Sequence, residues 1–140
     1  MSMISVIIPH LNQPEMLRTC LAALSRQTGP TGPVEIIVVD NGSNHLPSEV
    51  CAAFPNVTLL SETVPGPGPA RNLGAANATG EYLAFIDADC IADDGWLSEI
   101  ERQFSTDPTK SILGGDVRIG LRHRAVRLFW KPTKAFLPTG

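Results

Sequence analysis

Tyr82-Leu83-Ala84-Phe85-Ile86-Asp87-Ala88-Asp89-Cys90 joins an apolar run to an Asp-x-Asp pair. Such a run, with turn signals on both sides, reads as a buried strand of a mostly parallel sheet. Open α/β sheets bind ligands at the carboxyl ends of their strands. Two carboxylates at that rim repel each other unless a cation sits between or beside them. Oxygen-only ligands favour Mg²⁺ or Mn²⁺, and two carboxylates rarely complete the shell, so a phosphorylated ligand is expected to supply the rest. Asp87 and Asp89 are thus candidate metal ligands; the competing reading is a pair of turn or cap residues.

Upstream, Ile4-Ser5-Val6-Ile7-Ile8 is a β-branched strand stopped by Pro9. Leu17, Cys20, Leu21 and Leu24 recur at helical spacing between Pro14 and Arg26. Val34 to Val39 is a second strand, closed by the turn Asp40-Asn41-Gly42-Ser43. Pro47 to Ala53 reads as a short helix and Val57 to Leu60 as a third strand. Pro65-Gly66-Pro67-Gly68-Pro69 stiffens the approach to a helix expected from about Ala70 to Asn77. Asp93 and Asp94 are expected to open a helix running to about Phe104, where the helix dipole favours acid. Ile112-Leu113-Gly114-Gly115 is a possible fifth strand. This alternation predicts an α/β fold, a Rossmann-like, mostly parallel sheet flanked by helices on both faces.

In that fold Pro9-His10-Leu11-Asn12, Asp40 to Ser43, and Asp87-Ala88-Asp89 share one sheet edge. With strands about 4.8 Å apart, they can line one crevice of nucleotide width. Asp40 can accept a hydrogen bond from a base or ribose, or form an Asx-turn with the residues after it. Arg71 can fork onto phosphate oxygens or pair with a rim carboxylate. His10 is read as no catalytic group, and Cys90 as too near the core for a nucleophile.

The remaining letters exclude several chemistries. No glycine follows the first strand, so a dinucleotide fingerprint is absent, as are Gly-Lys-Ser/Thr and Gly-x-Ser-x-Gly. Asp-x-Asp also opens haloacid-dehalogenase-type phosphatases, but on the first strand of the domain. Cys20, Cys51 and Cys90 are odd in number and scattered, which suits free thiols, and no secretory n-region opens the chain. A cytoplasmic location is the expectation. All 14 acidic residues lie at or before Asp116, while six of the 11 Lys and Arg follow it. The acidic body argues against nucleic acid as a partner.

Taken in order, Ile4 to Pro9 with Asn12, Ile36 to Ser43, Pro69-Ala70-Arg71-Asn72-x-Gly74 and Phe85 to Asp89 resemble family 2 glycosyltransferases of GT-A fold. The resemblance implies an inverting transferase that takes a UDP- or GDP-sugar and passes the sugar to a saccharide or lipid-linked acceptor. It places Pro9, His10, Asn12, Glu15 and Asp40 to Ser43 around the nucleoside, with Arg71 by the nucleotide. It sets Asp87 and Ala88 against the ribose or sugar, and Asp89 on the metal that holds the diphosphate. The family's catalytic base lies further downstream than residue 140, so these residues read as the donor-binding part of a longer chain. Residues 1–117 are expected to form that domain. Residues 118–140 read as a basic tail that fits neither a strand nor a clean helix. It is either a connector or, through Phe129 and Trp130, a peripheral membrane contact. The alternatives to a transferase are a non-catalytic nucleotide-binding or assembly module and the phosphatase.

Overall fold

The computed structural model describes residues 3–106 and, beyond them, the backbone of 112–114, 118–119, 124–125 and 128–130. In chain order the elements are β1 (Ile4–His10), α1 (Pro14–Ser25), β2 (Val34–Asp40), α2 (Ser48–Ala52), β3 (Val57–Ser61), α3 (Pro67–Asn77), β4 (Tyr82–Phe85) and α4 (Trp96–Thr106). Four short strands follow: β5 (Ile112–Gly114), β6 (Arg118–Ile119), β7 (Arg124–Ala125) and β8 (Leu128–Trp130). Six strands form one sheet in the order β3-β2-β1-β4-β8-β5, and β6 pairs with β7 separately. The first four are parallel to one another; β8 runs antiparallel between β4 and β5.

The strands alternate their side chains between two layers, as period-two geometry requires. Ile4, Val6 and Ile8 face Leu17, Cys20 and Leu21 of α1 and Trp96, Leu97, Ile100 and Phe104 of α4. The rings of Tyr82 and Phe104 stack there with centroids 4.8 Å apart. On the opposite face Ile7 and Leu83 meet Ala75, and Ile37 and Val39 meet Ala70, so α3 covers that side alone among the described helices. Helices on both faces and a mostly parallel sheet were the expectation, and both are present. Each large side chain fully buried in these layers contributes on the order of 1.5–3 kcal/mol.

Several boundaries differ from those read in the sequence. Helix α3 begins at Pro67 rather than near Ala70. First-turn N–H groups have no intrahelical acceptor, so prolines at the start of a helix cost little. Gly66 at φ 114 supplies the sharp entry. Helix α4 begins at Trp96, because Asp93 closes a turn by accepting from the Trp96 N–H. The segment read as strandless after residue 117 needs correction: it contributes β6, β7 and β8, and β8 lies inside the main sheet. The side chains of Phe129 and Trp130, and Asp107, Asp116, Lys131 and Lys134, lie outside the described residues.

Register positions the site. His10 lies opposite Asp40, and Asp40 opposite Ser61. Strand β4 stops three residues short of that edge, with Phe85 opposite Ile7, and the Ile86 N–H still bonds the Ile7 carbonyl. Asp87 to Asp89 therefore turn across the end of the sheet beside β1.

Candidate functional site

A cavity of about 370 Å³ opens at this edge. Its walls are Pro9, His10, Leu11 and Gln13 after β1, Asn41 after β2, Pro65 to Pro67 and Arg71 on and before α3, and Asp87, Ala88 and Asp89 after β4. Eight of the residues named from the sequence thus meet here: Pro9, His10, Leu11, Asn41, Arg71, Asp87, Ala88 and Asp89. Asn12, Glu15, Asp40, Gly42 and Ser43 do not line it. Glu15 is exposed on the first turn of α1, 3.8 Å from Arg18.

The others serve a side-chain lattice beneath the cavity. Asp40 is only 2% exposed, and its Oδ1 lies 2.8 Å from His10 Nδ1. The Ser43 hydroxyl donates to Asp40 Oδ1 at 2.6 Å, and the Ser43 N–H to Oδ2 at 3.0 Å. This is the Asx-turn left open in the sequence, and Gly42 at φ 88 allows it. Burial alone would raise the Asp40 pKa; the donors Ser43 and His10 outweigh it and hold the carboxyl below its ordinary value. Asn12, itself at φ 52, donates its N–H to Ser43 Oγ and accepts from the Asn44 N–H. Asn41 commits its amide to the next loop: Nδ2 donates to the Glu62 and Val64 carbonyls, and Oδ1 accepts from the Gly66 N–H. Thus Asn41 sets the wall that Pro65, Gly66 and Pro67 form.

What remains chemically available faces the cavity. Arg71 Nη2 lies 3.0 Å from Asp87 Oδ1, with both side chains more than a third exposed. Ligand atoms of Asp87, Asp89 and Cys90 lie within 4.8 Å of one another, and this is the one such cluster among the described residues. The oxygen donors suit a hard divalent cation, whereas the Cys90 thiol is buried and donates to Asp89 Oδ1 at 3.4 Å. The two carboxylates are partly exposed on one wall, so the donor set fits Mg²⁺ or Mn²⁺ with further ligands from solvent or substrate. Cys20, behind this turn, has its thiol pKa pushed up by burial, with Cys90, Asp87 and Asp89 adding to it. None of the three cysteines is in a disulfide and all are buried, as expected from their spacing.

Sequence reasoning missed Gln13 and the Pro65–Pro67 wall as lining residues. The proline-glycine run was visible, but only as a stiff approach to a helix. Nothing in its letters says that the Asn41 side chain bends it over the sheet edge. Leu11 is among the exposed large apolar residues and lines this cavity.

Comparison with known proteins follows the same outline. The sequence model of Glycosyl transferase family 2 matches residues 5–134. Glycosyltransferase AglE of Haloferax volcanii is 38% identical over 121 residues, which is 81% of this chain and 39% of that protein. Mannosyltransferase PcManGT from Pyrobaculum calidifontis, in complex with GDP-Man and Mn²⁺, superposes with a TM-score of 0.73 at 26% identity, covering 82% of this chain and 35% of that one. S. aureus TarS in complex with UDP-GlcNAc gives 0.67 at 25% identity over 74% of this chain and 31% of that one. The chain therefore spans well under half the length of these relatives.

Proposed function

The chain belongs to glycosyl transferase family 2, and on that premise we propose that it binds a nucleotide-diphosphate sugar for transfer, with inversion, to an acceptor hydroxyl. The observation that carries this reading is the meeting, in one cavity, of Asp87, Asp89 and Arg71 with the loops after β1 and β2 and the loop before α3. The nucleoside lies between Pro9 and Leu11 on one side and Pro65 to Pro67 on the other. Arg71 turns its guanidinium from Asp87 to the diphosphate, for which its planar fork is suited. Asp87 and Asp89 would hold a divalent ion, Mg²⁺ or Mn²⁺, which would supply positive charge against the departing diphosphate. In the transfer the bond from the anomeric carbon to phosphate oxygen breaks as the acceptor oxygen attacks from the opposite face. The acceptor's proton goes to a base other than Asp87 and Asp89, the pair that would hold the cation.

The complexes of PcManGT with GDP-Man and Mn²⁺ and of TarS with UDP-GlcNAc support this choice of donor and ion. A saccharide or lipid-linked acceptor, a cytoplasmic setting and membrane contact through residues 118–140 remain parts of the proposal. A haloacid-dehalogenase-type phosphatase would carry Asp-x-Asp on the first strand of its domain, whereas here the pair follows β4.

The test is thermal denaturation with UDP or GDP in the presence and absence of Mn²⁺. A raised Tm is expected with one nucleotide plus the ion, and Asp89→Ala should remove the ion-dependent part. No response to either nucleotide overturns the reading.

A further inference from the structure

His10 is 2% exposed at the floor of the cavity, and both of its ring nitrogens are in use. The Gln13 N–H donates to Nε2 at 3.1 Å, so Nε2 carries no hydrogen. Nδ1 must then hold the ring proton and donate to Asp40 Oδ1, 2.8 Å away. The rest of the lattice agrees with this direction. The Ser43 hydroxyl gives its only hydrogen to Asp40 Oδ1 and is left to accept from the Asn12 N–H. Each of these donors has an acceptor, and neither ring nitrogen is asked to donate and accept at once.

The consequence falls on the loop between β1 and α1. Its N–H groups at Asn12 and Gln13 have no strand or helix partner. Ser43 satisfies the first and His10 the second. Gln13 lines the cavity and its carbonyl accepts the first hydrogen bond of α1, from the Leu17 N–H. The imidazole thereby fixes the start of α1 and the shape of the surface that Leu11 and Gln13 present.

Resting on the donor-site reading above, we propose that His10 is a positioning residue. It acts on nucleotide affinity through Nε2 and the Gln13 backbone, and on stability through Nδ1 and Asp40, without itself contacting the donor.

Two near-isosteric substitutions separate the two bonds. In His10→Asn the side-chain amide nitrogen can take the place of Nδ1 and keep the bond to Asp40, while the acceptor for Gln13 is lost. In His10→Gln the amide oxygen can take the place of Nε2 and keep the Gln13 acceptor, while the bond to Asp40 is lost. UDP and GDP affinities with Mn²⁺ would be measured by calorimetry on the full chain, below the Tm of each variant. His10→Asn is expected to weaken the bound nucleotide about tenfold with little change in Tm, the worth of one hydrogen bond. His10→Gln is expected to lower Tm more and weaken the nucleotide less. Equal weakening in both variants would mark a direct ligand contact, and native affinity in both would mark a purely structural group; either overturns the proposal. Should neither variant fold, ¹⁵N NMR of the native ring still decides: a hydrogen on Nδ1 and none on Nε2 is required, and the opposite tautomer overturns it. If the native chain binds neither nucleotide, the donor reading has failed first.

Discussion

Three hydrogen bonds converge on the Asp40 carboxylate, from His10 Nδ1, the Ser43 hydroxyl and the Ser43 N–H. They favour the ionised form enough to lower its pKa despite burial. In the unfolded chain the same carboxyl titrates near its ordinary value of about 3.9. The stabilisation it confers is therefore complete above that value and is lost as pH falls through the lower, folded pKa. Glu35, whose pKa is lowered despite its partial burial by bonds from the Ser5 hydroxyl and the Thr79 N–H, adds to the same acid-side loss. Urea denaturation of Asp40→Asn is expected to give a less stable protein at pH 7, with a shallower decline between pH 5 and 3 than native. A native slope retained in the variant would show that the Asp40 lattice contributes nothing on the acid side. The residue scale is also where the sequence was least legible. Polar letters at three strand ends marked the edge where the cavity opens, and Asp87, Asp89 and Arg71 line it there. Which of the others face a ligand and which face one another depends on loop rotation, and spacing does not encode that. Asn12, Asp40 and Ser43 are spent on each other.

Helix α3 carries Arg71 to the cavity, and its distance from the sheet is set by small residues. A Cβ on Gly74 would stand 2.5 Å from Ile7 Cγ2 and 3.3 Å from Val39 Cγ2, both on β-branched side chains buried in strands. Neither can swing aside, so Gly74→Ala forces α3 outward. Overpacking of this kind costs about 1–3 kcal/mol, against a gain of about 1 kcal/mol in helix propensity. Gly68, in the first turn of the same helix, is the comparison: apart from its chain neighbours, a Cβ there meets nothing within 4 Å. Gly68→Ala is expected to be close to neutral, because the gain of about 0.5–1 kcal/mol from restricting the unfolded chain is offset by the crowding of a helical Cβ against the following Pro69. The urea midpoint should thus fall clearly for Gly74→Ala and move little for Gly68→Ala, and a stabilising Gly74→Ala would remove the close approach from the account. The strands and helices that build this layer were legible because their apolar periods are long enough to count. The entry to α3 was not, since Pro67-Gly68-Pro69 has the composition of a loop. It becomes helical only because first-turn N–H groups need no partner.

Across the whole molecule the sheet is completed out of order. After β4 the chain passes through α4 to β5, two places further along the sheet. The intervening place is filled by β8, which pairs with Phe85, Ala84 and Leu83 on one side and with Gly114, Leu113 and Ile112 on the other. No sequence period announces this, because three apolar letters among arginines are too few to show alternation or a helical stripe. A boundary at residue 117 looked natural from the charge asymmetry, yet it divides this sheet. A chain ending at residue 117 would leave β4 open along one side and β5 with no partner among the described strands. Open edges of apolar strands are sites of association between chains. Strand β4 also leads directly into Asp87 and Asp89, so its loosening should reach the acidic wall of the cavity. Residues 1–117 are accordingly expected to melt at lower temperature than residues 1–140, to elute partly as oligomers in size-exclusion chromatography, and to lose the Mn²⁺-dependent response to nucleotide. A truncated chain with the native Tm and an intact response would mean that β8 only rests on a domain complete without it. The two outcomes separate a strand that closes the donor domain from a basic appendage carried beside it.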